Sequence, residues 1–235
     1  MDRLTLVIPD KPDPERDAVA AAWEAAGGVV LRLGRFWEPP ALDANSVRVY
    51  GNDTFCLVLQ QKLGFDLLSP ADDLLLRTPA EFLGRRIDRV ALADAASIGF
   101  PRFVKSVVPK QIRSRVYASF EDLTAECQGL EPTAALIVSE IVHFEAEARC
   151  FVLDGEVLDC AAYEGEGAAD RDQIVAFVRQ LAAAMTLPAA VVVDVGLLPA
   201  GPALLEFNAA WGAGLNGCDA TRVLPAIARA SAPAT

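Results

Sequence analysis

Histidine is nearly missing from this sequence, with His143 the one copy in 235 residues. Mechanisms that need paired or metal-bound imidazoles are thereby excluded, and His143 itself reads as a structural residue of a loop or strand. Cysteine is sparse and scattered. Cys56, Cys127, Cys150, Cys160 and Cys218 are odd in number and include no CxxC pair, which fits neither a zinc site nor a disulfide framework and leaves buried, reduced thiols as the expectation. No apolar run approaches the roughly 18 to 20 residues that cross a bilayer. The opening MDRLTLVIPDKPDPE turns acidic and proline-rich at once, unlike a secretory signal. A cytoplasmic enzyme with no membrane partner is therefore expected. GxxxxGK[ST] and GxSxG are both absent, and GAGLNG near the C-terminus is not set in a βαβ unit, so P-loop, serine-hydrolase and Rossmann readings have no support.

Positive charge is the scarcest resource. The net charge is −11, and no basic stripe of the kind that binds nucleic acid is present. Lysine occurs only at Lys11, Lys62, Lys105 and Lys110, against 17 arginines. Half of the lysines thus fall in one short stretch, FVKSVVPK.

What is abundant is apolar: 53% of residues are hydrophobic, enough for a substantial core in one or two domains. Up to about residue 80, short β-branched runs (Leu4–Ile8, GVVLRL, VRVY) alternate with helical spacing over Asp13–Ala26 and NDTFCLVLQQKLG. Alternation of this kind predicts an α/β unit on a parallel sheet. After Pro79 the texture changes. RRIDRVAL, RFVKSVV, SRVY, ALIVSEIV, AVVVDVGLL and ALLEFN read as strands. EARCFVLDGEVLDCAAY reads as a hairpin, because Asp154-Gly155 lies between two alternating apolar runs. FEDLTAECQGL, with Ser119 as N-cap, Ala169–Met185, and a segment from about Asp219 read as helices. The organisation expected is an α/β N-terminal unit over residues 1–80 followed by an α+β unit over residues 81–235.

Chemistry concentrates in VVVDVGLLPAGPALLEFNAAWGAGLNGC. Glu206 and Asn208 stand two apart in a strand and so share a face, and the PAGP turn folds Asp194 back toward them. Two carboxylates and an amide carbonyl are hard oxygen donors suited to magnesium, which takes its remaining oxygens from water or nucleotide phosphates. Acids in such apolar strands are costly unless a cation compensates them. The plainer reading, three unrelated strand-end polar residues, is weakened by their joint spacing. Lys105 and Lys110 are point charges able to meet phosphate oxygens, or else exposed lysines of a strand end and a loop. Arg149 is either a site residue or a solvent-facing strand residue paired with Glu145 or Glu147. Trp211 packs either beside a ligand or in the core.

The pattern D-V-(x)10-E-F-N followed by NAAWGAGLNGC, with FVKS and EARCF upstream, resembles the ATP-grasp enzymes. It is most similar to the compact clade named for two arginines and a lysine, over about residues 80 to 230. The resemblance implies an ATP-grasp fold, ATP and Mg2+ as cofactors, and an ATP-dependent carboxylate–amine ligase working through an acyl-phosphate. It implies Asp194, Glu206 and Asn208 as metal ligands. Lys105 would lie toward the α-phosphate and adenine, Lys110 toward the β- and γ-phosphates, and Arg149 against the transferred phosphate. Ile137–Ile141 would be the hinge that reads adenine through its backbone at Val138 and Ser139, with Glu140 on the ribose. The chain departs from the family pattern in two ways: SVVPKQIRSR has no glycine for a phosphate-covering loop, leaving Lys110, Arg113 and Arg115 to cover by charge, and FVKP is replaced by FVKS. Arg85 and Arg86 are candidates for a substrate carboxylate on charge alone. Implied partners are a small-molecule carboxylate and an amine, an amino acid or a peptide end. A phosphotransferase or a non-catalytic nucleotide-binding module remains open, as does the oligomeric state, a homodimer included.

Overall fold

The computed structural model describes residues 4–165 and 170–231. In the N-terminal stretch, β1 (Thr5–Pro9) is the middle strand of a three-stranded parallel sheet, between β2 (Val29–Leu33) and β3 (Val47–Val49). Its Leu6, Val7 and Ile8 are fully buried, as an uninterrupted apolar run demands of a strand covered on both faces. Helix α1 (Pro14–Ala25) joins β1 to β2, and α2 (Asp53–Leu63) follows β3. Both start on a capping side chain: Asp13 accepts from the Arg16 N–H at 2.9 Å, and Asn52 accepts from the Phe55 N–H at 3.0 Å. Gly28, just past α1, has a packing duty. A Cβ there would lie 2.2 Å from Nε1 of the buried Trp23.

Two antiparallel sheets follow. β4 (Ile87–Ala91), β5 (Arg102–Ser106), β6 (Arg115–Tyr117) and β7 (Ala135–Ser139) form a sheet of order β4-β7-β5-β6, with α3 (Phe120–Glu126) after β6. The second is built from β8 (Ala146–Leu153), β9 (Glu156–Gly165), β10 (Ala190–Leu198) and β11 (Gly201–Asn208), in the order β11-β10-β8-β9. Helix α4 (Arg171–Ala184) joins β9 to β10, and α5 (Ala220–Ala230) comes last. The β8–β9 hairpin turns at Asp154 and Gly155, both with positive φ (50° and 83°), as the sequence predicts. The strand expected over ALIVSEIV stops at Ser139, and Ala169, the expected start of α4, lies outside the described residues. A parallel α/β unit followed by two antiparallel sheets with helices is the fold class the sequence predicts.

The largest core cluster crosses the expected boundary near residue 80. It joins Leu6, Trp23 and Phe55 to Phe151, Val192, Trp211, Val223 and Ile227. The apolar face of α5 packs on α1 and the first sheet, and the Val49 N–H donates to Ser231 Oγ at 3.0 Å. Trp211 is therefore a core residue, its Nε1 donating to Ser69 Oγ at 3.2 Å.

Asp159 on β9 staples α4 and α5. Its buried carboxylate accepts from Arg171 at 2.8 Å, from Arg222 at 3.2 Å and from the Asp219 N–H at 2.7 Å. Burial works to raise its pKa, but these donors outweigh burial and hold it below the ordinary carboxylate value. A depressed native pKa contributes stability above the unfolded value, about 3.9, that is lost as pH falls through the native one. Asp159→Asn is expected to cost ~2 kcal/mol near pH 7. In urea titrations across pH, the gap to wild type should narrow below about pH 4. A gap independent of pH would show that the charge does not matter.

Candidate active site

Strand register assembles the site. Asp194 on β10 is the pairing partner of Arg149 on β8 and of Glu206 on β11, so the three side chains form one row across three strands. Asn208 joins on the same face, two residues beyond Glu206. Pairing between β10 and β11 slips after Asp194, so Leu205 has no partner of its own. Bulges of this kind re-aim side chains beside functional sites.

The row is internally bonded. Arg149 grips Asp194 with Nε at 2.8 Å and Nη2 at 2.6 Å, a bidentate pair in which Asp194 is 1% exposed and Arg149 9%. Burial opposes the Arg149 charge, but Asp194 more than offsets it and holds the guanidinium above its usual pKa. Arg149 Nη1 also donates to the Gly214 carbonyl at 2.9 Å. The Asn208 amide Nδ2 sits between the two carboxylates, 2.9 Å from Asp194 Oδ2 and 3.1 Å from Glu206 Oε1. A donor thus occupies the position that a cation would take. Turning that amide by half a rotation presents Oδ1 instead, so two carboxylates and one carbonyl oxygen can converge without backbone movement. That donor set suits magnesium. Among the described residues no group of three His, Cys, Asp or Glu could hold a metal alone, so the oxygens still needed would come from water and phosphate.

Lys105, at the end of β5 in the other antiparallel sheet, reaches across to Glu206 with Nζ–Oε2 at 3.5 Å. Between the sheets lies a cleft. Its polar part, about 240 Å³, is bordered by Lys105, Lys110, Glu206 and Asn208, with Pro70–Leu75 on one side. A smaller apolar part of about 80 Å³ shares Leu75, Lys105, Ser114, Ile137 and Glu206, and adds Ile87, Phe103 and Leu205.

The remaining expected residues fall less neatly. Lys110 borders the polar cleft, but its ammonium contacts Asp53 of the N-terminal unit, and its own φ is +65°. Ser139 faces the cleft, whereas Val138 points into the core on the opposite face of β7. The ladders on both sides of β7 take up the backbone through Ser139. After β7 the Glu140 N–H donates to the Arg86 carbonyl at 3.0 Å, and among the described residues the main chain first lacks a backbone partner at Ile141. The Glu140 carboxylate accepts from the Arg86 N–H at 2.9 Å and lies away from the Asp194–Glu206–Asn208 row.

Several charge-based expectations are corrected. Arg113 and Arg115 do not cover the cleft, because Glu126 and Asp122 on or beside α3 hold them at 2.7 and 2.6 Å. Arg149 pairs with Asp194 rather than Glu145 or Glu147, and Glu147 accepts instead from Tyr163 OH at 2.7 Å. Arg85 is not free for a substrate carboxylate. It donates to the Leu83 and Leu204 carbonyls at 2.9 and 2.8 Å and to Ser139 Oγ at 3.2 Å, with its guanidinium over Phe144. Burial without a carboxylate partner lowers its pKa. Arg85 thereby ties β7 to β11 at the apolar end of the cleft. Arg86 pairs with Asp88 at 2.7 Å.

The sequence offers no signal for the support of the loop after β11. Glu15 on α1 accepts from the N–H groups of Leu215 and Asn216 at 3.0 and 2.7 Å, and Tyr50 donates to the Ala213 carbonyl at 2.7 Å. A Cβ on Gly214 would lie 2.5 Å from Glu15 Oε2, so a side chain there would push on the carboxylate that holds this loop. The N-terminal unit therefore holds the same loop that Arg149, paired with Asp194, holds through the Gly214 carbonyl.

Comparison with curated proteins finds no match. Among solved structures, the chain is similar in fold to a RimK domain protein ATP-grasp from Sphaerobacter thermophilus (TM-score 0.59, 14% identity, 95% of this chain and 99% of that one). It is also similar to the macrocyclase MdnC bound with precursor peptide MdnA from Microcystis aeruginosa (0.53, 15%, 87% and 90%) and to a D-alanine–D-alanine ligase from Bacillus anthracis (0.52, 10%, 97% and 97%). The family model for the ATP-grasp domain, family 2 of the clade named for two arginines and a lysine, matches residues 82–226. Two antiparallel sheets enclosing an Asp194–Glu206–Asn208 row and Lys105, over that same stretch, make this chain a member of the ATP-grasp family, in the second family of that clade.

Proposed function

We propose that the protein is a cytoplasmic, ATP-dependent carboxylate–amine ligase that forms an amide bond through an acyl-phosphate. Residues 81–235 would bind magnesium-ATP, and residues 1–80 would wall the substrate side. The observation that carries this reading is the oxygen-donor row on one sheet facing Lys105 on the other. The row suits a metal-bound triphosphate and contains no covalent nucleophile. Similar folds named as a D-alanine–D-alanine ligase, a macrocyclase bound with a precursor peptide and an ATP-grasp ligase complexed with a precursor peptide and AMPPNP (TM-score 0.50) favour an amino acid or peptide end as substrate.

Magnesium held by Asp194, Glu206 and Asn208 would withdraw charge from the β- and γ-phosphates during transfer. The side chains do the rest by position and field. Arg149 fixes the Asp194 rotamer and offers its guanidinium to the transferred phosphoryl group. Lys105 neutralises the α-phosphate side, and Lys110 closes the mouth of the cleft near the terminal phosphates. The apolar walls Ile87, Phe103, Ile137 and Leu205 suit the base, whose edge can be read by the free backbone from Ile141 onward. Carboxylate attack on the γ-phosphorus gives an acyl-phosphate and ADP, and amine attack then releases phosphate.

Thermal unfolding tests the site. Magnesium-ATP at a hundred times its Kd should stabilise the native state by ~2.7 kcal/mol, and Glu206→Ala with Asn208→Ala should shrink that shift. No shift in wild type up to millimolar nucleotide would overturn the reading. Mass spectrometry of the products then decides the chemistry: an amide with ADP is expected, whereas a stable phosphorylated product would reassign the protein as a phosphotransferase.

A further inference from the structure

Among the described residues, Arg149 uses three of its five N–H donors: Nε and Nη2 on Asp194, and Nη1 on the Gly214 carbonyl. The Asp194 contacts hold one edge of the planar guanidinium and leave it able to hinge about that edge. The Gly214 carbonyl, 2.9 Å from the opposite nitrogen, stops the hinge. The two remaining N–H groups can then meet a phosphoryl group from one fixed direction. What fixes the Gly214 carbonyl lies in the N-terminal unit. We propose that Glu15, on α1, is a positioning residue for Arg149, acting through the loop at residues 213–216. The inference rests on the placement of Arg149 against the transferred phosphoryl group and deepens the ligase reading.

The contact is made for a carboxylate. Leu215 and Asn216 donate successive backbone N–H groups to its two oxygens, at 3.0 Å to Oε2 and 2.7 Å to Oε1. Asn216 stands in the left-handed region, with φ of +47°. Consecutive N–H groups at such a turn form a concavity that takes an anion. Here a carboxylate of the chain itself fills it, from 200 residues away in sequence. Both donors are partly buried, so losing Glu15 would leave two backbone groups short of a partner and the loop free to shift.

The N-terminal unit grips the same loop at two more points. Tyr50 donates to the Ala213 carbonyl at 2.7 Å, and the Gly51 N–H donates to the Trp211 carbonyl at 3.0 Å. Burial, with Glu15 beside it, pushes the Tyr50 phenol up, so it stays a donor throughout the neutral range. Gly214 lets the Glu15 carboxylate come this near. The backbone at Gly214 is not left-handed, and a Cβ there would meet Glu15 Oε2 first, at 2.5 Å. An alanine would therefore press on that carboxylate before anything else. From α1 to Arg149 the path has two links: the carboxylate holds Leu215 and Asn216, and the adjoining Gly214 carbonyl holds Nη1.

Calorimetric titration of the full chain with magnesium-AMP-PNP and with magnesium-ADP tests this, and needs neither the acid nor the amine. Wild type should bind AMP-PNP at least ~10-fold more tightly than ADP, the scale of one charge-assisted contact to the terminal phosphate. Glu15→Ala should remove that preference, a loss equal to about 1.4 kcal/mol, while ADP affinity holds. Glu15→Gln, which keeps an acceptor oxygen for one N–H, should retain part of it. Gly214→Ala should act as Glu15→Ala does, and replaces it if that variant folds poorly. Arg149→Lys completes the cycle. Its ammonium can stay on Asp194 but has no second nitrogen for Gly214, so adding Glu15→Ala should change the preference no further. An intact preference in Glu15→Ala, or a further loss in the double variant, would overturn this inference alone and leave Glu15 a purely structural task. Equal binding of AMP-PNP and ADP by wild type would overturn the placement of Arg149, and no binding of either would overturn the ligase reading.

Discussion

Arg149→Met is expected to destabilise the protein by about 3–5 kcal/mol, because it leaves a charge of the opposite sign buried without its partner. Asp194 is almost wholly enclosed and spends both carboxylate oxygens on Arg149, and among the described residues Asn208 is its one other side-chain donor. Removing the guanidinium strands that carboxylate between β8 and β11. Adding Asp194→Leu should recover most of the loss, since a well-packed apolar pair often matches a buried ion pair. Function should not follow stability. Both the single and the double variant should lower turnover by ~10²-fold or more, the scale of a lost transition-state contact. Urea unfolding gives the stability of the cycle, and single-turnover ADP release gives its activity. If the double variant stayed as unstable as Arg149→Met, the ion pair would be more than a local match of charges. If Arg149→Met kept full turnover, Arg149 would have only a structural task.

Lys105→Met is expected to weaken ATP binding by ~10- to 100-fold, the equivalent of one charge-assisted contact of about 1.5–3 kcal/mol. Stability should change little. The Lys105–Glu206 pair is 3.5 Å long and its Glu206 side chain is 43% exposed, so solvent already screens it. The informative comparison is between nucleotides. Affinity for ATP should fall while affinity for adenosine holds, because the lost contact is to phosphate. Lys105→Arg should fail to restore binding, since a planar fork cannot occupy the seat of a compact ammonium whose side chain is only 22% exposed at a strand end. An equal loss for adenosine and ATP would place Lys105 on the base instead.

Local features of this fold were legible in the amino-acid order. The alternation of strands and helices before residue 80, the cap at Ser119, the start of the last helix near Asp219, the Asp154-Gly155 hairpin and the shared face of Glu206 and Asn208 all depend on neighbours within a few residues. Period and capping chemistry act over that range. The candidate metal row was half legible for the same reason, since two of its members are two residues apart and the third lies one tight turn away.

Tertiary structure decided everything that required two distant strands to be aligned. Arg149 and Asp194 are 45 residues apart and meet because register sets them opposite each other. A one-residue slip would have sent either side chain to the other face. Lys110 meets Asp53 across 57 residues, and Glu15 meets the loop after β11 across 200. Charge in the sequence pointed to Arg85, Arg113 and Arg115 as free hands for a ligand. Packing instead assigned Arg85 to carbonyls, because a guanidinium brought out of water must satisfy its donors with whatever the fold has placed nearby, while Arg113 and Arg115, still facing solvent, pair with the acids of α3 beside them. Sequence marked which residues are candidates to hold a metal and a phosphate. Only the pairing of the sheets determined which of them are free to do so.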